Sequence, residues 1–174
     1  RGLFARTADD EVLGECRDGA GQQREQDAQR VEVRPFHPEQ DDAERGEAEM
    51  YGLYFADAGQ HLENRLFVDH NQPDCVSNVL YKGALQGTDA RTVWVGDVLI
   101  RKEAEGTDTY EKNQNLLLSD GARADSVPNL EIETGVIEGA GHASATGRFD
   151  ETQLFYLMAR GISETEARRL IVRG

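Results

Sequence analysis

The sequence predicts an all-β domain from Met50 onward, on three observations: its apolar runs are short, they return at fairly even spacing, and polar corners rather than amphipathic helices separate them. The runs are "YGLYFA" (51–56), "RLFVDH" (65–70), "NVLYKGAL" (78–85), "RTVWVGDVLIR" (91–101), "QNLLLS" (114–119), "NLEIE" (129–133) and "GVIEG" (135–139). Each is shorter than an ordinary helix, and their Val, Ile, Leu, Tyr and Trp content suits a pleated, half-buried surface. Between them lie "HNQPDC", "LQGTDA", "KEAEGTDTYEKN" and "SDGARADSVPN". A sandwich, a barrel and a β-helix all have this texture. A β-helix returns short runs through polar corners instead of clean hairpin turns, and the run centres near 67, 81 and 95 have such a spacing.

The elements divide the chain into three parts. Residues 1–49 hold 14 acidic and 7 basic residues with no sustained period, and "VEVRPF" (31–36) is the one short strand candidate there. Residues 50–149 are the β core, to which Val79, Leu80, Val93, Val95, Leu99, Leu116, Leu118, Leu130, Ile132 and Ile137 are expected to contribute. Residues 150–174 begin a helical region. Asp150 followed by Gln153 is a capping pattern ahead of "LFYLMARG", where Leu154, Phe155, Leu157 and Met158 share a face and Gly161 ends the turn. Ser163 with Glu166 repeats the pattern before a second short helix carrying Ala167, Leu170 and Ile171.

Composition excludes several classes of function. The 174 residues suffice for one domain with a core, and a net charge of −14 opposes nucleic acid or an anionic membrane surface as the main partner. Cys16 and Cys75 are too few to staple a chain of this size, no apolar run approaches a membrane span, and the first residues lack the apolar core of a signal peptide. A cytoplasmic protein is the expectation. The chain has no Walker loop, no dinucleotide-binding glycine fingerprint and no Gly-x-Ser-x-Gly elbow.

Two places carry groups capable of chemistry. "FVDHNQPDC" gathers Asp69, His70, Asp74 and Cys75, but without a Cys-x-x-Cys pair it lacks the ligand set of a structural zinc site. A strand end that turns through Pro73 and packs Cys75 inside accounts for it. His61 sits in a polar corner as a surface group, and His37 belongs to the acidic segment. "GAGHASATG" (139–147) places His142 among Gly139, Ala140, Gly141, Ala143, Ser144 and Ala145, so another backbone or subunit can approach closely. Imidazole is the one side chain there that binds a borderline metal or carries a proton near neutral pH, and a tight corner holding a satisfied histidine is the structural alternative.

Four segments in order, "NVLYKGAL", "NQNLLLSDGARADSVPNLEIE", "GAGHASATGRFDETQLFYLMARGIS" and "EARRLIVRG", resemble the core of the SufB/SufD family of iron–sulfur cluster assembly proteins, most closely SufD of actinobacterial type. The resemblance runs from about Met50 to Gly174 and implies a right-handed parallel β-helix with short C-terminal α-helices. It implies a non-catalytic scaffold subunit that pairs with a SufB-like subunit through the β-helices and engages a SufC-like ATPase through the helical region. On that reading the isolated chain holds no cofactor, and a transient iron–sulfur cluster forms in the complex. His142 is then the cluster-ligand or proton-handling candidate, Cys75 and His70 are weaker candidates, and Gly139, Gly141, Ala143 and Ser144 belong to the interface. Some relatives carry a cysteine two residues before this histidine; Ala140 stands there here, so cysteine chemistry is expected from the SufB side. A homodimer is the expected pairing in isolation. The other readings are a β-helix interaction protein and a carbohydrate-active enzyme without a cluster role; Asp120, Asp125 and Asp150 do not declare the paired carboxylates such an enzyme needs.

Overall fold

A computed structural model of the chain describes residues 24–25, 29–33 and 46–173. Their strands are β1 (Arg24–Glu25), β2 (Gln29–Val33), β3 (Glu47–Ala56), β4 (His61–His70), β5 (Val76–Leu85), β6 (Arg91–Ile100), β7 (Thr107–Leu117), β8 (Arg123–Ile132) and β9 (Ile137–Arg148). Two helices follow, α1 (Glu151–Met158) and α2 (Glu164–Arg173).

The strands alternate between two parallel sheets. One runs β1-β4-β6-β8 with β2 also on β4; the other runs β3-β5-β7-β9. All pairings are parallel, which makes a β-helix of about 3 turns and excludes the antiparallel sandwich. Equivalent strands start at Glu47, Val76, Thr107 and Ile137, a repeat of about 30 residues in which residues one turn apart stack. The spacing visible in the sequence is half of this turn, because each run belongs to the opposite sheet from its neighbour.

Stacking decides the core. Inward positions in one sheet form columns such as Met50–Val79–Glu111–His142 and Tyr81–Asn113–Ser144, and in the other Leu66–Gly96–Pro128 and Val68–Val98–Leu130. Trp94, Leu85, Ile100 and Val68 are among the fully buried side chains. Of the ten expected core residues, Val79 is fully buried, eight are half-buried, and Ile132 is 42% exposed. The alternation in β6 runs through Thr92, Trp94, Gly96, Val98 and Ile100, so Val93, Val95 and Leu99 lie on the other face. In β7 Leu117 is buried, while Leu116 and Leu118 are half-buried. In β6 the outward set, with Val93, Val95 and Leu99, is nearly as apolar as the inward set, so the run does not reveal which alternate set points inward.

The interior is unusually polar. Ser77, Thr92, Thr107, Thr109, Glu111, Asn113 and Asn115 are buried together with His70 and Asp69. Ser77 and Thr109 are register partners, and their hydroxyls meet at 2.6 Å. Asn115 Nδ2 donates to Asn113 Oδ1 at 2.7 Å, and Asn113 Nδ2 donates to Tyr54 Oη at 3.0 Å. Ser126 Oγ, from the opposite sheet, donates to Asn113 Oδ1 at 2.5 Å. Several of these polar side chains thus satisfy one another across strands and turns, the condition under which their burial is tolerated, and the Glu111 carboxyl is not among them.

The corners form small cores of their own. Ala56, Leu85, Ala90, Leu117 and Ala122 pack together at one, with Leu62 and Ala124 against them. Gly87 adopts φ +88° there, and its amide donates to Ser119 Oγ at 2.5 Å, a turn that an L side chain would strain. The helical region follows the sequence closely. Asp150 caps α1 by accepting from the Thr152 amide at 2.8 Å, Gly161 takes φ +83°, and the Glu166 amide donates to Ser163 Oγ at 3.4 Å. Leu154 and Ala167 are buried, whereas Phe155, Tyr156, Met158 and Leu170 remain exposed. The strand expected at "VEVRPF" is met by β2 as far as Val33; residues 34–36 lie outside the described residues.

Candidate functional site

His142 lies on β9, the last strand of its sheet among the described residues. Its register partner one turn below is Glu111 on β7. Nothing in β9's own sheet stacks on the far side of His142 among the described residues, so the imidazole stays 43% exposed although it occupies an inward-facing column. Ala140 and Ser144 share that inward set, while Gly139, Gly141 and Ala143 pair with outward-facing Asp108, Tyr110 and Lys112. The small residues around His142 therefore divide between two faces of the strand. A bulge at Thr107/Asp108 lets Ile137 pack on the core before the alternation resumes.

Glu111 is the residue that the sequence reading missed. Its side chain is 1% exposed, and neither carboxyl oxygen has a hydrogen-bond partner among the described residues. Oε1 stands 3.9 Å from His142 Nδ1. Burial, with the Asp97 charge adding to it, pushes the carboxyl up to about 8, so it is neutral at neutral pH. The approach to His142 is therefore a polar juxtaposition more than an ion pair. Gly96 makes the space: a methyl group at Gly96 would overlap both Glu111 Oε2 and the Trp94 ring. The signal was present in "TDTYEKNQN", where Thr107, Thr109, Glu111, Asn113 and Asn115 form one alternate set; it reads as a solvated face until the register turns it inward.

The weaker candidates lie inside the solenoid. Cys75 is fully buried just before β5, and burial raises its thiol above the ordinary value, which disfavours the thiolate. His70 is fully buried with Nε2 at 2.8 Å from Ser77 Oγ, and burial pushes it down to about 4, so it is neutral. Its neighbour Asp69 is engaged by Arg101, whose Nε and Nη2 donate to the carboxylate at 2.7 and 2.8 Å. Thus "FVDHNQPDC" is a packed strand end in which His70 and Cys75 point to the core. His61 begins β4 half-buried, and His37 lies outside the described residues. Among the described residues, no group of three or more His, Cys, Asp or Glu side chains is placed to hold a metal ion.

Fold and site together define a β-solenoid core domain whose last described strand carries an exposed imidazole above a buried carboxyl. The chain belongs to the SufBD family: the model described as "SUF system FeS cluster assembly, SufBD core domain" matches residues 39–174. An iron–sulfur cluster assembly SufBD family protein of Mycobacterium tuberculosis is 74% identical over 135 residues, covering 74% of this chain and 34% of the relative. The Mycobacterium leprae protein of that name is 72% identical over the same length and shares. Another SufBD family protein of Mycobacterium tuberculosis is 33% identical over 131 residues, covering 75% of this chain and 15% of the relative. The chain thus spans about a third of the length of the more similar relatives. The matched family is one of iron–sulfur cluster assembly proteins of the SUF system. No helix among the described residues is long and apolar enough to cross a membrane.

Proposed function

We propose that the chain is the core of a SufD-like scaffold subunit, which pairs with a SufB-like subunit, engages a SufC-like ATPase and contributes His142 to a nascent iron–sulfur cluster held at the SufB/SufD interface. The observation that carries this reading is the position of His142, an exposed imidazole on an inward column beside an open strand edge. Neutral imidazole is a suitable iron ligand, and the position leaves it reachable by a second chain. The remaining cluster ligands then come from the partner. Two SufBD family proteins of one organism match this chain at 74% and 33% identity, which supports assigning the two subunit types to separate chains. The cluster is cargo, so the subunit works as a scaffold without turnover of its own. In isolation β9, the edge of its sheet among the described residues, can pair with a second copy, giving a homodimer.

Reconstitution of the complete complex with His142→Ala beside the parent tests the proposal, following subunit assembly by light scattering and cluster growth by visible absorption. Normal assembly with a reduced cluster yield is the expected result. Parental rate and yield in the variant would reduce His142 to an architectural residue.

A further inference from the structure

Glu111 is a costly residue for the solenoid interior. A carboxyl buried without a hydrogen-bond partner opposes folding, and a Leu or Met of similar volume would fill the same place without that cost. The surrounding polar groups do not use it. Asn113, Asn115, Tyr54 and Ser126 close a network among themselves, and His70, Ser77 and Thr109 form another. His142 Nδ1 lies 3.9 Å from Oε1 on the stacked strand. Gly96 and the Trp94 ring wall the other side of the carboxyl.

We infer that Glu111 is a positioning residue for His142: its Oε1 accepts the Nδ1 proton of the imidazole, which selects the tautomer whose Nε2 lone pair is free to meet a metal. This inference rests on the reading of His142 as a cluster ligand. Metal-bound histidines ordinarily donate their second ring nitrogen to such an internal acceptor, and the acceptor fixes both tautomer and ring orientation. The separation of 3.9 Å is longer than a hydrogen bond, and the inference requires it to shorten when the imidazole is engaged. The carboxyl offers an accepting oxygen in either protonation state, since the neutral form keeps its carbonyl oxygen. His142 is consequently set by the turn beneath it, while the ligands that complete the site come from beyond the open edge.

The test begins on the apo protein, where nitrogen chemical shifts of the His142 ring report its tautomer, with His142→Ala identifying the signal. The parent is expected to favour Nδ1–H, and Glu111→Leu to move the ratio toward that of free imidazole by about five-fold, the scale of one net hydrogen bond. Glu111→Gln keeps an accepting oxygen and should retain the parental ratio; Glu111→Met replaces the Leu variant if that one does not fold. A parent dominated by Nε2–H, or a Leu or Met variant with the parental ratio, overturns the inference. In the assembled complex the Leu variant should lose about ten-fold or more in cluster yield, and Gln should restore it. Failure of the tautomer prediction leaves the ligand role of His142 standing, whereas full cluster yield in His142→Ala removes the ligand role and leaves the tautomer result intact.

Discussion

Tyr54 and Asn115 lie 61 residues apart in the chain, yet the Tyr54 hydroxyl donates to Asn115 Oδ1 at 2.6 Å in the interior of the solenoid. The same hydroxyl accepts from Asn113 Nδ2 at 3.0 Å. A methyl group at Gly83, which stacks on Tyr54 in the register, would overlap the tyrosine ring and Asn115 Oδ1. One aromatic residue from β3 therefore ties the polar positions of β7 together through the space left by a glycine in β5.

Tyr54→Phe keeps the ring and removes the hydroxyl, taking the donor from buried Asn115 Oδ1 while Asn113 Nδ2 keeps the Tyr81 carbonyl. A loss of about 1–3 kcal/mol is expected, because an unsatisfied buried group costs its desolvation. Urea denaturation followed by Trp94, the one tryptophan of the chain, measures it. An unchanged midpoint would show that the network is not closed by this hydroxyl.

Gly96→Ala should destabilise the fold by about 1–3 kcal/mol, because the added methyl meets the Trp94 ring and the Glu111 carboxyl. Gly135→Ala is the control, since its added methyl meets nothing within 4 Å. Comparable denaturation midpoints for the two variants would contradict the packing described for Gly96.

Ile100→Ala should cost about 2–5 kcal/mol, as expected for a fully buried aliphatic side chain. Leu118→Ala should cost clearly less, because Leu118 is half-buried. The pair measures whether the inward set of alternate residues has been correctly assigned; a larger loss at Leu118 would reverse it.

Two buried groups shape the pH dependence in opposite directions. His70 falls from 6.5 to about 4 on folding, so its contribution is full above pH 6.5 and is lost as pH falls toward 4. Glu111 rises from 4.5 to about 8, so its contribution is full below pH 4.5 and is lost as pH rises toward 8. The two oppose each other between pH 4.5 and 6.5 and leave the interval from 6.5 to 8 to Glu111 alone. Stability should fall there by up to about 2 kcal/mol, and Glu111→Gln should remove that slope. Equal slopes for parent and variant in a urea series across this interval would exclude a buried, neutral Glu111.

The sequence by itself determined the class of fold, the corners and the start of the helical region. Short runs with strand composition and polar turns suffice for an all-β solenoid once the order of four segments marks the family. Asp150 and Ser163 cap their helices through contacts that span only a few residues, so local spacing reveals them. Only the tertiary structure decided which alternate residues face inward and what lies beside His142. Runs such as "TVWVGDVLI" are apolar on both alternating sets, and "TDTYEKNQN" looks like a water-facing strand. Stacking at a repeat of about 30 residues gives Ser77 its Thr109, Asn113 its Tyr54 and His142 its Glu111. The burial of a polar side chain depends on a partner one or two turns away, and that pairing exists only after the register between distant strands is set.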